Sequence, residues 1–69
     1  MDSKEQFKKL TNDYSKMIND YTDSLLLTFG SNKKARMFLR EQLAFYSNSQ
    51  THELIDNLIR NLERLALNQ

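Results

Sequence analysis

The sequence predicts a small all-α domain, folded either as a three-helix bundle or as a hairpin of long helices. Proline is absent and glycine occurs once, at Gly30, so two long stretches contain no residue that breaks a helix. Apolar residues also recur every three or four positions along most of the chain, which is typical of amphipathic helices. We expect a single domain, residues 1–69, with helices at about 3–28, 33–46 and 51–67.

The first helix is predicted by apolar residues that form one stripe about 100° wide on a helical wheel. These residues are Phe7, Leu10, Tyr14, Met17, Ile18, Tyr21 and Leu25. Asp2 or Ser3 can cap the start of the helix, and Gly30 stands where a left-handed residue usually ends one. Asp20 and Asp23 lie near the negative end of the helix, so we expect them either to pair with cations across the turn or to mark an interruption.

The second and third helices follow from the same periodicity. Ser31 or Asn32 can cap the second helix. The polar stretch 47–51 is predicted to be a loop, with Thr51 as the cap of the third helix. The third helix carries an apolar seam about 140° wide, which is broader than one antiparallel neighbour requires. The members of this seam are Leu54, Ile55, Leu58, Ile59, Leu62, Leu65 and Ala66.

The length of the chain favours a partner subunit. A domain of 69 residues buries only about 60% of the surface that its unfolded chain exposes, and a monomer of this size is marginally stable. Cysteine is absent and histidine occurs once, so neither a disulfide nor a site built from several Cys or His ligands can add stability. Helix packing and self-association remain, and we therefore expect a homodimer with no metal and no cofactor.

Charge and hydropathy bear on the compartment of the protein and on its partners. The net charge of +1 gives no global attraction for nucleic acid or for an anionic membrane. The longest apolar run, residues 25–27, is far shorter than the ~20 residues that span a bilayer. The charged start of the chain has no apolar run behind it and does not resemble a signal peptide. We expect a soluble, cytoplasmic protein that does not bind membranes.

No pattern typical of a catalytic site occurs in the sequence. His52 is the only histidine, and it could act as a general base only if Glu53 oriented it; a solvated residue in the first turn of a helix is the simpler interpretation. The motifs of serine hydrolases, P-loop proteins and zinc proteases are all missing. Asp56 stands four residues before Arg60, in the acid-first order that stabilises a helix. We therefore expect that the protein is not an enzyme.

The densest local charge lies at the start of the second helix. Lys33, Arg36 and Arg40 recur at i, i+3 and i+7 and form a cationic strip about 10 Å long. The positive end of the helix adds to the attraction of this strip for phosphate. The next helix opens with acidic and apolar residues, which do not suit a recognition helix in the DNA major groove. We favour a solvated helix face, and a nucleic-acid-binding regulator remains the alternative function.

An excess of apolar residues at the end of the first helix predicts protein binding. Leu26 and Leu27 project to opposite flanks of the stripe, so one neighbouring helix cannot cover both. Uncovered apolar surface on a small protein usually marks an interaction site. We expect a regulatory module that binds a protein partner, and also a second copy of itself, through helix faces. The residues assigned to this surface are Tyr14, Tyr21, Leu26, Leu27 and Phe29.

Most of the seven aromatic residues fall on the predicted core stripes, so we expect them to pack in the core. The Lys- and Asn-rich usage, without cysteine or proline, is similar to that of small regulatory proteins of low-GC bacteria and of their phages or plasmids. This similarity is one of composition, and it assigns a role to no residue.

Overall fold

A computed structural model of the chain describes residues 2–67, and this part folds into three α-helices without a strand. Helix α1 spans Ser3–Phe29, α2 spans Asn32–Gln42 and α3 spans Ser49–Leu67. The predicted all-α class and the small helical bundle are therefore confirmed for these residues. None of the three helices has the length and apolar character that crossing a membrane requires.

Helix α1 is an uninterrupted helix of 27 residues, which at 1.5 Å per residue makes it about 40 Å long. The carboxylate of Asp2 caps its start and accepts a hydrogen bond from the backbone N–H of Lys4 at 3.3 Å. Gly30 ends the helix as predicted, with a left-handed φ of 74° and its N–H donated to the carbonyl of Leu26. The helix is therefore defined at both ends by local hydrogen bonds.

Helix α2 ends four residues before the predicted boundary at residue 46. After Gln42 the backbone tightens, because the N–H groups of Leu43, Ala44 and Phe45 each donate to a carbonyl three residues back, not four. The apolar spacing that predicted a longer helix continues to Tyr46. However, Phe45 and Tyr46 both lie exposed outside the core, so no burial favours another helical turn there.

Helix α3 begins at Ser49, two residues before the predicted cap at Thr51. Asn48 caps it instead, since its side-chain oxygen accepts hydrogen bonds from the backbone N–H groups of Gln50 at 2.7 Å and Thr51 at 3.3 Å. Asn is at least as good a cap as Thr, so the earlier residue starts the helix. Helix α2 is capped by Ser31, the first of its two predicted candidates.

The core lies where the three helices meet. Its buried apolar side chains are Ile18, Leu25, Ala35, Leu39, Ile55, Leu58, Ile59 and Leu62. Half of them come from α3, as its wide apolar seam predicts, whereas α1 contributes only from its second half. Phe29 and Phe38 close one edge of the core, with ring centroids 5.0 Å apart. The long first half of α1 therefore extends past the core.

Two ion pairs join side chains within residues 2–67. Asp56 lies 3.0 Å from Arg60 on α3, as the spacing predicts, and Arg40 of α2 lies 3.9 Å from Glu63 of α3. Neither pair includes the acids of segment 20–23, and the helix is continuous through that segment. Both expectations for those acids, a cation partner or an interruption, are therefore wrong.

Candidate functional site

A row of large exposed apolar side chains runs along α1. The row, here called the α1 stripe, consists of Phe7, Leu10, Tyr14, Met17 and Tyr21. Its spacing alternates between three and four, so the five side chains line one side of the helix in the a and d positions of a heptad. Each is at least 40% exposed. The expectation that Phe7, Leu10 and Met17 pack in the core is therefore wrong, whereas Tyr14 and Tyr21 were assigned to an interaction surface from the sequence.

The α1 stripe and the core-facing side of α1 are separate rows. Ile18, Thr22 and Leu25 are the buried residues of the helix, and on a helical wheel they are centred roughly 65° from the α1 stripe. The sequence prediction merged the two rows because they adjoin on the helical wheel, where Phe7 and Leu25 have the same angle. No residue of α1 before Ile18 is buried. The first half of the helix therefore presents its apolar side chains largely exposed, although Tyr14 is in contact with Asn57 of α3.

At its far end the α1 stripe meets a groove between the three helices. The groove has a volume of about 450 Å³. Four core residues contributed by all three helices line it, namely Ile18, Leu39, Ile55 and Leu58. The bundle is therefore open on this side, and the groove reaches down to its core.

The walls of the groove are apolar and partly exposed. Met17 and Tyr21 form the wall on α1, so these two residues belong to both the α1 stripe and the groove. Phe38 lines the groove from α2, Tyr46 from the connector and Leu54 from α3. Tyr46 is half exposed, and Leu54 lies on the outer flank of the α3 seam. Within the described residues, no further element packs on these apolar side chains to bury them.

A row of hydrogen bonds joins α1 to α3, and one of them involves Tyr14 of the α1 stripe. The side-chain amide of Asn61 donates to the hydroxyl of Thr22 at 2.9 Å and to the side-chain oxygen of Asn19 at 3.1 Å. The amide of Asn57 donates to the hydroxyl of Tyr14 at 3.0 Å. Directional bonds of this kind fix how α1 is rotated against α3. They fix the rotation of α1 at which the other members of the α1 stripe stay largely exposed.

The five residues assigned to the interaction surface from sequence lie in different places. Tyr14 and Tyr21 belong to the α1 stripe, and both are partly exposed. Leu26 and Phe29 are partly buried and pack against the core of their own chain. Leu27 is 86% exposed and lies on the side of α1 that faces away from the core. The structure therefore does not bring the five together into one patch.

Sequence reasoning missed the other residues of this surface. Phe7, Leu10 and Met17 were assigned to the core, although their strict three-four alternation is the pattern of a two-helix contact. Tyr46 was assigned to α2, and Leu54 to the seam of α3. No sequence signal marks these two as groove walls, because the groove exists only where separate elements pack together.

The three cations assigned to nucleic-acid contact have unequal surroundings. Lys33 is exposed, whereas Arg36 is partly buried. The Nε of Arg36 is a buried donor that has no acceptor within residues 2–67. The side-chain oxygen of Asn32 is a buried acceptor that likewise has no donor within these residues. Arg40 lies 3.9 Å from Glu63. The cationic strip is therefore partly covered and partly neutralised.

The remaining candidates for chemistry are solvent-facing. His52 is exposed in the first turn of α3, and its ring Nε2 lies against the carbonyl oxygen of Tyr46. Glu53 and Asp56 are exposed on the same helix. Within the described part of the chain, no cluster of three or more His, Asp or Glu side chains is placed to hold a metal ion.

The α1 stripe and the groove thus form one continuous apolar surface, since Met17 and Tyr21 belong to both. A surface of this shape can receive an amphipathic helix, whose i, i+3, i+4 and i+7 side chains would lie along it. Comparison of the chain with protein-family models, with curated proteins and with solved structures finds no match, so the functional argument rests on this surface.

Proposed function

We propose that this protein is a small helical interaction module that binds protein surfaces, its own included, and carries out no chemical reaction. The observation that carries the proposal is the continuity of the α1 stripe with the groove. A contiguous exposed apolar surface on a small protein usually marks an interaction site. The mechanism is occupancy, in which the module covers part of a partner and so changes what that partner can bind.

The size of the surface supports this proposal. The five side chains of the α1 stripe, together with Tyr46 and Leu54, are between 36% and 67% exposed. Large side chains of this kind present roughly 150–250 Å² when fully exposed, so the seven offer on the order of 700 Å² together. Each partner in a standard protein–protein interface buries about 800 Å². The apolar surface is therefore large enough for a specific complex.

The experiment compares two substitutions on the same helix. Leu10 lies in the α1 stripe, whereas Leu27 is even more exposed and lies outside it. Leu10→Asp and Leu27→Asp therefore add the same charge to exposed sites of α1. Leu26→Asp would be a poorer test, because Leu26 packs against the core.

Light scattering gives the mass of each variant, and circular dichroism gives its helix content. We expect the wild type and Leu27→Asp to have the mass of two chains, and Leu10→Asp to have the mass of one, with equal helix content in all three. The cause is that a carboxylate cannot be buried unpaired in an apolar interface. If Leu10→Asp left both the mass and the binding of any protein partner unchanged, the proposed function would be wrong.

The nucleic-acid alternative has less support from the geometry. Arg36 is partly buried, and Arg40 lies near Glu63. Of the three cations, Lys33 is exposed and takes part in neither ion pair of the described residues. Phosphate binding by so few cations would be weak and would fall steeply with salt. The double substitution Lys33→Gln and Arg40→Gln tests it, since both side chains are exposed. We expect that neither the wild type nor the double variant changes the mobility of a mixed DNA pool. A salt-sensitive shift that the wild type produces and the double variant does not would favour the alternative.

A further inference from the structure

We propose that a second copy of this chain occupies the α1 stripe and the groove, with the two α1 helices packed antiparallel. In this dimer, Phe7 of each copy is seated at the groove of the other. The inference rests on the proposed function, because it names the partner of the same surface. It adds the orientation of the partner and the residue that fills the groove.

The α1 stripe is complementary to a copy of itself. It runs from Phe7 to Tyr21, which is about 21 Å at 1.5 Å per residue, and Tyr14 is its midpoint. A two-fold axis near Tyr14 places Phe7 of one copy level with Tyr21 of the other. The heptad spacing allows the two rows to interdigitate, as the a and d side chains of a coiled coil do. Every member of the α1 stripe then has a counterpart.

The groove distinguishes the antiparallel orientation from the parallel one. Tyr21 lines the groove, so a Phe7 side chain that arrives level with Tyr21 reaches a cavity of about 450 Å³. Phe7 is also the most exposed member of the α1 stripe, at 67%. In a parallel pair, each Phe7 would meet its own equivalent, and both grooves would stay open. The antiparallel pair covers the exposed phenylalanine and the open groove in one contact.

Charge along α1 favours the same orientation. Residues 2–10 contain three lysines and two acids, whereas residues 11–23 contain three aspartates and one lysine. The antiparallel pair opposes unlike halves, and the parallel pair would oppose like halves. Antiparallel helices also oppose their dipoles, which is favourable at both ends. Both effects are small in water, but they have the same sign.

The first half of α1 has no other cover. Helices in proteins gain most of their stability from packing of an apolar face, and no residue from 3 to 17 is buried within the chain. Because a two-fold contact presents the same surface twice, one interface covers the α1 stripe of both copies. A chain of this size needs such additional burial.

Distances between spin labels test the orientation. The chain contains no cysteine, so a single introduced thiol is labelled cleanly. Ser3 and Ser24 are exposed and lie in line with the two ends of the α1 stripe. In Ser3→Cys, the antiparallel dimer predicts roughly 30 Å between the two labels, from the helical rise, whereas a parallel dimer predicts about 10 Å, the spacing of packed helices. In a mixture with Ser24→Cys, the antiparallel dimer predicts a short distance between unlike chains.

A matched pair of substitutions tests the groove. Tyr46 lines the groove, whereas its neighbour Phe45 is more exposed, at 77%, and lies outside it. We expect Tyr46→Asp to raise the dissociation constant of the dimer about tenfold or more, because it replaces an aromatic wall of the groove that Phe7 enters with a charge. Phe45→Asp should leave the dissociation constant unchanged. Equal effects of the two would overturn the placement of the second copy in the groove.

The outcomes separate this inference from the proposed function. Suppose that Leu10→Asp dissociates the dimer, but the two labels in Ser3→Cys are close together. The antiparallel arrangement would then be overturned, and the proposed function would stand. A single-chain mass at every concentration overturns the second copy as occupant, while a protein partner lost with Leu10→Asp would still support the proposed function. If the monomer instead bound vesicles of anionic lipid through Leu10, both proposals would fail.

Discussion

Asn61 of α3 donates a hydrogen bond to the hydroxyl of Thr22 of α1 at 2.9 Å, and both side chains are buried. Thr22 donates in turn to the carbonyl of Ile18 at 2.7 Å, while the same amide of Asn61 also reaches Asn19. Buried polar groups are stable only when they are hydrogen-bonded, so another rotation of α1 would leave this pair unsatisfied. The pair therefore selects which side of α1 faces inward.

Thr22→Val tests this pair, because valine keeps the shape of threonine and removes its hydroxyl. Asn61 would lose one of its two acceptors on α1 in a buried site, so we expect the free energy of unfolding to fall by about 1–3 kcal/mol. Urea denaturation at a single protein concentration measures the change, since the stability of the proposed dimer would depend on concentration.

The control for Thr22→Val is Thr11→Val. The hydroxyl of Thr11 also donates to a backbone carbonyl, that of Lys8 at 2.8 Å, but it is exposed. We expect this substitution to change the free energy of unfolding by less than about 0.5 kcal/mol. If Thr22→Val were no more damaging than its control, the buried pair would not fix the packing of α1 on α3.

Ala35→Leu tests how closely α2 approaches the other helices. Ala35 is fully buried in the core. Extra methylene groups in a packed core force side chains and backbone apart, so we expect a loss of about 1–3 kcal/mol in the free energy of unfolding. Ala66→Leu is the control, because Ala66 is exposed on α3. Thermal melting should show a lower midpoint for Ala35→Leu alone, and equal midpoints would contradict the close approach.

Gly30→Ala tests the turn between α1 and α2. A Cβ added at Gly30 would meet no atom within 4 Å, so any loss of stability must come from the positive φ of 74°. An L-residue with a Cβ is strained there by about 1 kcal/mol. Asn tolerates this conformation better, so Gly30→Asn should lose less. Chemical denaturation of the two variants shows which of them loses more stability. If the loss were steric, Gly30→Asn would lose more than Gly30→Ala, because Asn is larger.

Asp56→Asn tests the weight of the ion pair on α3. The pair with Arg60 has a separation of 3.0 Å, but both side chains are more than half exposed. Solvent screens such pairs, so we expect the free energy of unfolding to change by less than about 0.5 kcal/mol at moderate salt. Denaturation at low and high salt measures it. A loss above about 1 kcal/mol would assign this pair a structural role that its exposure does not predict.

The helices could be predicted from the sequence, and their ends could be predicted only in part. Gly30 ends α1 as predicted, because a left-handed residue at a helix end is a local property of glycine. The end of α2 at Gln42 was missed, since the apolar spacing continues to Tyr46 but no neighbouring element covers Tyr46. Helix α3 starts early because Asn48 caps it before Thr51 can. Competition between two good caps is not resolved by pattern alone.

The proposed interaction surface was likewise predicted only in part. Tyr14 and Tyr21 were assigned to it from sequence, and the structure includes both in the α1 stripe. Phe7 and Leu10 belong to the same row, but they were assigned to the core because an apolar residue at helical spacing fits either place. Only the tertiary structure separates the two cases, since it leaves every residue of α1 before Ile18 exposed.

The sequence by itself determined that this protein is helical, where its helices lie approximately, and that it carries more apolar surface than a chain of its length can easily bury. These properties depend on local backbone preferences and on composition. The tertiary structure decided which of two rows on α1 faces inward, because a period of 3.6 residues is the same for a row that packs in a core and one that packs on a partner. Ile18 and Leu25 face inward, with the buried hydrogen bond between Thr22 and Asn61, and the α1 stripe consequently faces outward beside an open groove.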